Sequence, residues 1–155
     1  TLDKGQSDSL KIDLGVISSK GIVGIVSDVS ENYATVQSIL NTESRVNAKH
    51  KNSGHFGSLK WDTKKPNVIQ LVDIPRIAPL AKGDTIVTSG RSTIFPEGIL
   101  IGTIKDFQLD KDNNYYYVNI DLFNDMTSLE HVYLIENKEA KEILELEKGV
   151  EDVEQ

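Results

Sequence analysis

The sequence predicts an all-β fold: two small β-barrels in tandem, of Greek-key type, followed by an acidic C-terminal tail. Three observations predict it. Apolar and polar residues alternate at a period of two, turn residues interrupt the chain at short intervals, and a hairpin pattern with a Gly inside its first strand occurs twice.

Leu10, Ile12, Leu14 and Val16 alternate with Lys11, Asp13 and Gly15, and Tyr116, Val118, Ile120 and Leu122 alternate with Tyr117, Asn119 and Asp121. In a strand this spacing puts one set of side chains against a core. Turn chemistry follows at Ser19-Lys20-Gly21, Ser30-Glu31-Asn32, Asn52-Ser53-Gly54, Lys82-Gly83-Asp84 and residues 110–114. Many short strands between such turns suit a sandwich or barrel.

Residues 21–29 echo residues 99–107, with Gly24 aligned to Gly102 and Asp28 to Asp106. Each copy runs into a turn and a second strand, over 33–40 and 115–122. A Gly inside a strand permits a sharp bend or a close backbone approach, as small barrels need at their corners. Two such hairpins predict two barrels. Pro66, Pro75 and Pro79 mark the division, because proline is unwelcome in central strands. The expected domains are residues 1–75 and 76–137, with the early strands free to complete either barrel, and residues 138–155 as an acidic tail or short helix. Ala140, Ile143, Leu144 and Glu147 fall at helical spacing there, but isolated short helices are marginal in water.

Composition narrows the function. Of 155 residues, 38% are apolar and 26% charged, the balance of a chain that folds. There is no cysteine, which removes disulfides, thiolate metal sites and cysteine nucleophiles. The net charge is -7, and residues 136–155 hold eight acidic and three basic side chains. The remaining body has 14 basic and 16 acidic residues, a near-neutral balance unlike that of a phosphate-binding surface. No run approaches the roughly 18 apolar residues of a membrane helix. The opening Thr1-Leu2-Asp3-Lys4 reads neither as a signal peptide nor as an initiator, so any anchor is expected upstream of it.

The most distinctive run is residues 83–102, which reads as turn, strand, loop, strand. Asp84, Thr88 and Ser89 are candidates for turn bonds to the backbone. Gly83, Gly90 and Gly98 suit bends, and Phe95 followed by Pro96 is expected to fold back as an apolar plug on the end of a barrel. The run resembles the rod shape-determining protein MreC family, whose members carry Gly-Asp-x-Val-Val-Thr-Ser-Gly, then Phe-Pro-x-Gly and a Gly-containing strand. The opening from Asp3-Lys4-Gly5 to Val16 and Ile17, the segment Gly21-Ile22-Val23-Gly24-Ile25-Val26, the pair Arg45-Val46 and Gly57-Ser58-Leu59 are similar too. The likeness covers roughly the whole body of the chain, about residues 1 to 136. Many members have Gly where this chain has Thr93.

The resemblance implies paired barrels like those of chymotrypsin-type proteases but without the triad, on the periplasmic, extracytoplasmic side of the bacterial inner membrane, anchored by an upstream membrane helix and coiled coil. It implies a self-associating scaffold of the cell-elongation complex, as dimer or filament. Its partners would be a class B penicillin-binding protein transpeptidase, MreD, RodA, RodZ and, indirectly, MreB. A second class of function is a periplasmic adaptor or carbohydrate-binding barrel of a transport or envelope assembly.

No catalytic residue, cofactor site or metal site is expected. Ser89 lacks the Gly-x-Ser-x-Gly elbow of a serine hydrolase and reads as a turn residue. His50 and His55, with only Asp62 nearby, fall short of four zinc ligands and read as surface residues flanking a turn; His131 stands alone. Lys49, Lys51, Lys60, Lys64 and Lys65 cluster around His55, Phe56 and Trp61, and read as a solvated hairpin whose lysines discourage edge pairing. Alternation sends Tyr116 inward and Tyr115 and Tyr117 outward. Phe56, Trp61, Tyr115 and Tyr117 are the expected protein-interface residues, being aromatic and placed to face solvent.

Overall fold

The computed structural model describes residues 2, 5, 12–41, 46–91, 94–129 and 131–135. Thr93 and the expected tail at 138–155 lie outside them. The described residues form ten strands and no helix. Accordingly, none of them lies in a helix long and apolar enough to cross a membrane.

β1 (Gly15–Ser18), β2 (Gly21–Val29), β3 (Ala34–Ser38) and β10 (Tyr133–Ile135) make a four-stranded antiparallel sheet in the order β10-β1-β2-β3. β4 (Asn47–His50), β5 (Phe56–Lys60), β6 (Val68–Pro75), β7 (Thr85–Thr88), β8 (Leu100–Leu109) and β9 (Tyr115–Leu122) close into a barrel, β4-β5-β6-β9-β8-β7. β6 lies beside β9 while β7, β8 and β9 follow as consecutive hairpins, the Greek-key order. One of the two barrels expected from the sequence is therefore present as a closed barrel. The other unit is, among the described residues, an open sheet. Strand pairing crosses residue 75: the barrel takes strands from both expected segments, and β1 pairs with β10.

Of the alternating run 10–16, Leu10 and Lys11 lie outside the described residues, and the rest is not all strand. Asp13 adopts φ +66° in a turn and Ile12 is 58% exposed, so β1 starts only at Gly15. The run 115–122 behaves as read: Val118 and Ile120 are fully buried, and Tyr116 packs edge-on against Phe107 with ring centroids 5.3 Å apart.

The echo is structural. In the hairpin of β2 and β3, Gly24 faces Ser38 and the register slips between Val26 and Asp28. In that of β8 and β9, Gly102 faces Leu122 and the register slips between Ile104 and Asp106. The bulge falls at the same place in both copies. A Cβ would collide with the carbonyl oxygen of Gln37 at Gly24 and with that of Asp121 at Gly102. The glycines let the partner strand's backbone approach, and the bulge then adds the twist that bends each hairpin.

Inward side chains of the barrel, among them Ala48, Leu59, Ile69, Leu71, Ile86, Ile104, Val118 and Ile120, form one core that reaches Ile22 of β2 and Ile39 just after β3. Each fully buried Ile, Leu or Val contributes about 1.5–3 kcal/mol. Leu14, Val16, Val23, Val26 and Ala34 make a second, smaller cluster in the sheet. The joint between the units is also polar. Buried Asn124 donates its side-chain amide to the carbonyls of Gly21 and Ile22, 2.9 Å each, and accepts from the Ser18 hydroxyl. Gly21, at φ +148°, meets the backbone of Leu100 there, so any side chain at that position would push sheet and barrel apart.

Candidate functional site

The segment singled out in the sequence leads from the barrel to its junction with the sheet. Thr88, 1% exposed at the end of β7, is its organiser. Its hydroxyl donates to the Pro96 carbonyl (2.7 Å) and accepts from the Ile99 N–H (2.9 Å), while its carbonyl accepts from the Gly98 N–H (3.1 Å). One side chain thus closes the loop base, with Gly90 and Gly98 turning at positive φ. The expected plug is present: Phe95 is 1% exposed and belongs to the barrel core. Its ring also reaches Gly15 of the sheet, so it wedges the two units rather than capping one. Gly83 makes the turn before β7.

Ser89 is a turn residue. Its N–H donates to the Asn47 carbonyl (3.2 Å) and its Oγ accepts from the Arg91 N–H (3.4 Å). The serine that meets a histidine is Ser53. His50 Nδ1 lies 2.7 Å from Ser53 Oγ, and His50 Nε2 lies 2.7 Å from Asp84 Oδ2, which also accepts the Ala81 N–H. His50 is 1% exposed, which corrects the expectation of a surface residue. It follows Val46, just before β4, and Ala48 on the inward side, and Asp84 and Ser53 satisfy its ring there. The three side chain types are those of a hydrolytic triad, but the backbone beside the serine does not complete one. The N–H groups of Gly54 and His55 are spent on the His50 carbonyl and on Ser53 Oγ itself, so neither is aimed at a developing oxyanion. The cluster instead ties the turn between β4 and β5 to the turn before β7. No group of three or more metal-ligating side chains occurs among the described residues.

The aromatic candidates separate into different surroundings. Phe56, 40% exposed, lies under Arg91, whose guanidinium carbon is 3.5 Å from the ring centroid, a cation–π contact. Beside it Lys49 pairs with Glu97. Both β4 and β5 are interior strands of a closed barrel, so these lysines guard no edge, contrary to the sequence reading. Trp61 packs against the core and donates its indole N–H to the Lys65 carbonyl (3.0 Å). Tyr115 is 45% exposed at the start of β9 and pairs with Pro75. Tyr117 is partly buried: burial, and then the Asp62 carboxylate, hold its phenol above the ordinary tyrosine range.

Residues 1–136 match the model of the barrel core of the rod shape-determining protein MreC. The chain belongs to the MreC family. The cell shape-determining protein MreC of Listeria monocytogenes is 32% identical over 137 residues, covering 86% of this chain and 46% of that protein. Its solved structure superposes with a TM-score of 0.81, covering 87% of this chain and 66% of that one. The major periplasmic domain of the cell shape-determining filament MreC, 22% identical, superposes at 0.70 over 86% of this chain and 84% of its own. MreC of Helicobacter pylori, solved in complex with the penicillin-binding protein PBP2, is 20% identical and superposes at 0.67 over 89% of this chain and 82% of its own. The chain spans about half the length of the curated relatives it matches.

Proposed function

We propose that this chain is the extracytoplasmic scaffold portion of a bacterial cell-elongation complex, which self-associates and binds and activates cell-wall synthesis enzymes to maintain rod shape. The observation that carries the proposal is the family match over residues 1–136. The periplasmic placement of one solved neighbour and the PBP2 complex of another support it. In this reading the four-stranded sheet stands for the second barrel, and the chain has no catalytic role. Its partners are a class B penicillin-binding protein transpeptidase, further copies of itself, and, in the membrane-anchored assembly, MreD, RodA, RodZ and indirectly MreB. Tyr115 and Phe56, both more than a third exposed, together with Trp61 and Tyr117, are the proposed contact residues, aromatic side chains being favoured at protein interfaces.

Sedimentation across a concentration series, alone and with the extracytoplasmic part of such a transpeptidase, tests this. A mass that rises with concentration, or a co-sedimenting complex that Tyr115→Ala weakens, is the expected result. A chain that stays monomeric on its own and ignores the transpeptidase even when joined to a dimeric coiled coil, which restores avidity, overturns the reading.

A further inference from the structure

The outer face of the barrel wall carries a built polar cleft. Ile69 and Leu71 of β6 are fully buried in the core, so Gln70 between them points outward, yet it is 2% exposed. Its Oε1 accepts the Asp62 N–H (2.8 Å), its Nε2 donates to Asn119 Oδ1 (3.0 Å), and Asn119 Nδ2 donates to Asp106 Oδ1 (2.7 Å). The strand register sets this row, because Gln70 faces Asn119 and Asn119 faces Asp106 across β6, β9 and β8. Tyr117 and Gln108 face each other in the next row. Lys64 and Lys65 rise on one side of the cleft and Lys105 on another, and the cavity measures about 310 Å³. The wall formed by residues 61–67 is held in place by the indole bond of Trp61 to Lys65 and by the Lys64 N–H on Asp62 Oδ1 (3.0 Å). Thr63 within it adopts φ +66°, a conformation that β-branched residues rarely take and one that recurs where a loop is fixed around a ligand.

The chemistry of this floor is mixed. A primary amide has two N–H donors and one acceptor, and the row uses one N–H from Gln70 and one from Asn119. Asp106 brings a second carboxylate oxygen, and Tyr117 a phenol and a ring face. Alternating donors and acceptors match hydroxyl groups, which both give and accept hydrogen bonds. A bare phosphate would face the carboxylates of Asp62 and Asp106. Three lysines against those two carboxylates still leave the rim favouring an anionic substituent. The volume is at the small end of ligand sites, which run about 300–1,000 Å³, and so fits one or two sugar rings.

We propose that this cleft binds a saccharide bearing a carboxylate, with the Gln70–Asn119–Asp106 row reading the hydroxyls and the lysines holding the acid. The inference deepens the proposed function and rests on it only for the source of the sugar: a scaffold in the cell envelope would hold the acidic amino-sugar strand that its enzyme partners extend.

The test is a ¹⁵N NMR titration of this chain with the disaccharide of N-acetylglucosamine and N-acetylmuramic acid, with neutral chitotriose, and with an acidic tetrapeptide. The expected result is movement of the Gln70 and Asn119 side-chain amide signals with the disaccharide at about millimolar concentration, and an affinity about tenfold weaker for chitotriose. Lys105→Glu, at an exposed position, should weaken binding by about tenfold while leaving the thermal midpoint in place. Tyr117→Ala should weaken it as well. Unmoved amide signals, binding indifferent to both variants, or an equal response to the tetrapeptide overturns the proposal. Sedimentation with the transpeptidase is a separate readout, so failure here leaves the scaffold reading standing.

Discussion

Phe95 and Gly15 meet where barrel and sheet join. A methyl group built on Gly15 would lie 2.7 Å from Cε1 of the Phe95 ring and 3.0 Å from Cγ1 of Ile135. The ring is 1% exposed and belongs to the barrel core, so it has little room to withdraw. Gly15→Ala should therefore destabilise the chain by about 1–3 kcal/mol through overpacking, and Phe95→Ala by about 3–5 kcal/mol through the cavity left behind. The two sites share a contact, so Gly15→Ala in a Phe95→Leu background should cost measurably less than alone. Urea unfolding of Gly15→Ala, Phe95→Leu and the double variant measures this coupling. Strict additivity would show that the ring does not bridge the units.

The buried histidine supports a second prediction. His50 bonds Asp84 through one ring nitrogen and Ser53 through the other, 2.7 Å each. Replacing it by Leu leaves the Asp84 carboxylate with only the Ala81 N–H among these partners, and losing such a partner costs about 1–3 kcal/mol. His50→Leu should lower stability by that amount, and Ser53→Ala by less, since Ser53 is exposed and water can replace it. An activated-serine reagent should leave Ser53 unlabelled. Stoichiometric labelling that His50→Leu abolishes would contradict the structural role assigned here.

The two echoing hairpins show how far the sequence could be read. Gly24 and Gly102 could be aligned because each sits two apolar residues into an otherwise similar strand, and their shared role is a close approach of the partner carbonyl. Gly24→Ala and Gly102→Ala should each cost about 1–3 kcal/mol, since the colliding atoms are backbone and cannot rotate away. Circular dichroism melts check this, with Gly54→Ala, where a Cβ meets nothing within 4 Å despite the positive φ, as the milder control. What could not be read was which strands pair. Period-two alternation gives each strand a face but no partner, so division at residue 75 and exchange of early strands were both open. The inward position of His50 was legible in the spacing of Val46, Ala48 and His50, whereas Asp84, 34 residues away, gave no local sign. Gln70 reads as an ordinary polar residue between Ile69 and Leu71, and only the fold, which brings the Asp62 N–H and the Asn119 side chain onto it, shows it buried.

Asp125 gives the pH prediction. Its carboxylate accepts from the Thr127 hydroxyl (2.6 Å), from the Asn67 amide (3.0 Å) and from the Thr127 N–H (3.0 Å). These bonds, the Thr127 hydroxyl first, hold it below the ordinary carboxylate range. A depressed folded-state value means that the unfolded chain takes up its proton first as pH falls. The stabilisation is therefore present above the unfolded value, about pH 4, and is lost as pH drops through the folded one. Asp125→Asn should be less stable than the parent at neutral pH, and the difference should shrink below about pH 4 and vanish in stronger acid. Denaturant midpoints at a series of pH values measure it, and a pH-independent difference would mean that the charge is not what matters.

Thr63 separates stability from binding. At φ +66° a β-branched residue carries a cost that Gly does not, about 1–2 kcal/mol for the left-handed region, partly offset by the greater freedom of Gly in the unfolded chain. Thr63→Gly should raise stability by about 0.5–1 kcal/mol, a shift of about 1–4 °C in Tm for a chain of this size. The same change loosens the wall of the cleft between Asp62 and Lys64, the two residues tied to each other there. If the strained turn holds the cleft ready for its ligand, Thr63→Gly should melt later and bind the acidic disaccharide more weakly, because the loop must then be ordered at the moment of binding. Asn, which tolerates the left-handed region without the freedom of Gly, should stabilise the chain and keep the affinity. Calorimetry on both variants, set beside the NMR titration, reads the two effects independently. Equal binding by the Gly and Asn variants would assign the strain to the fold alone.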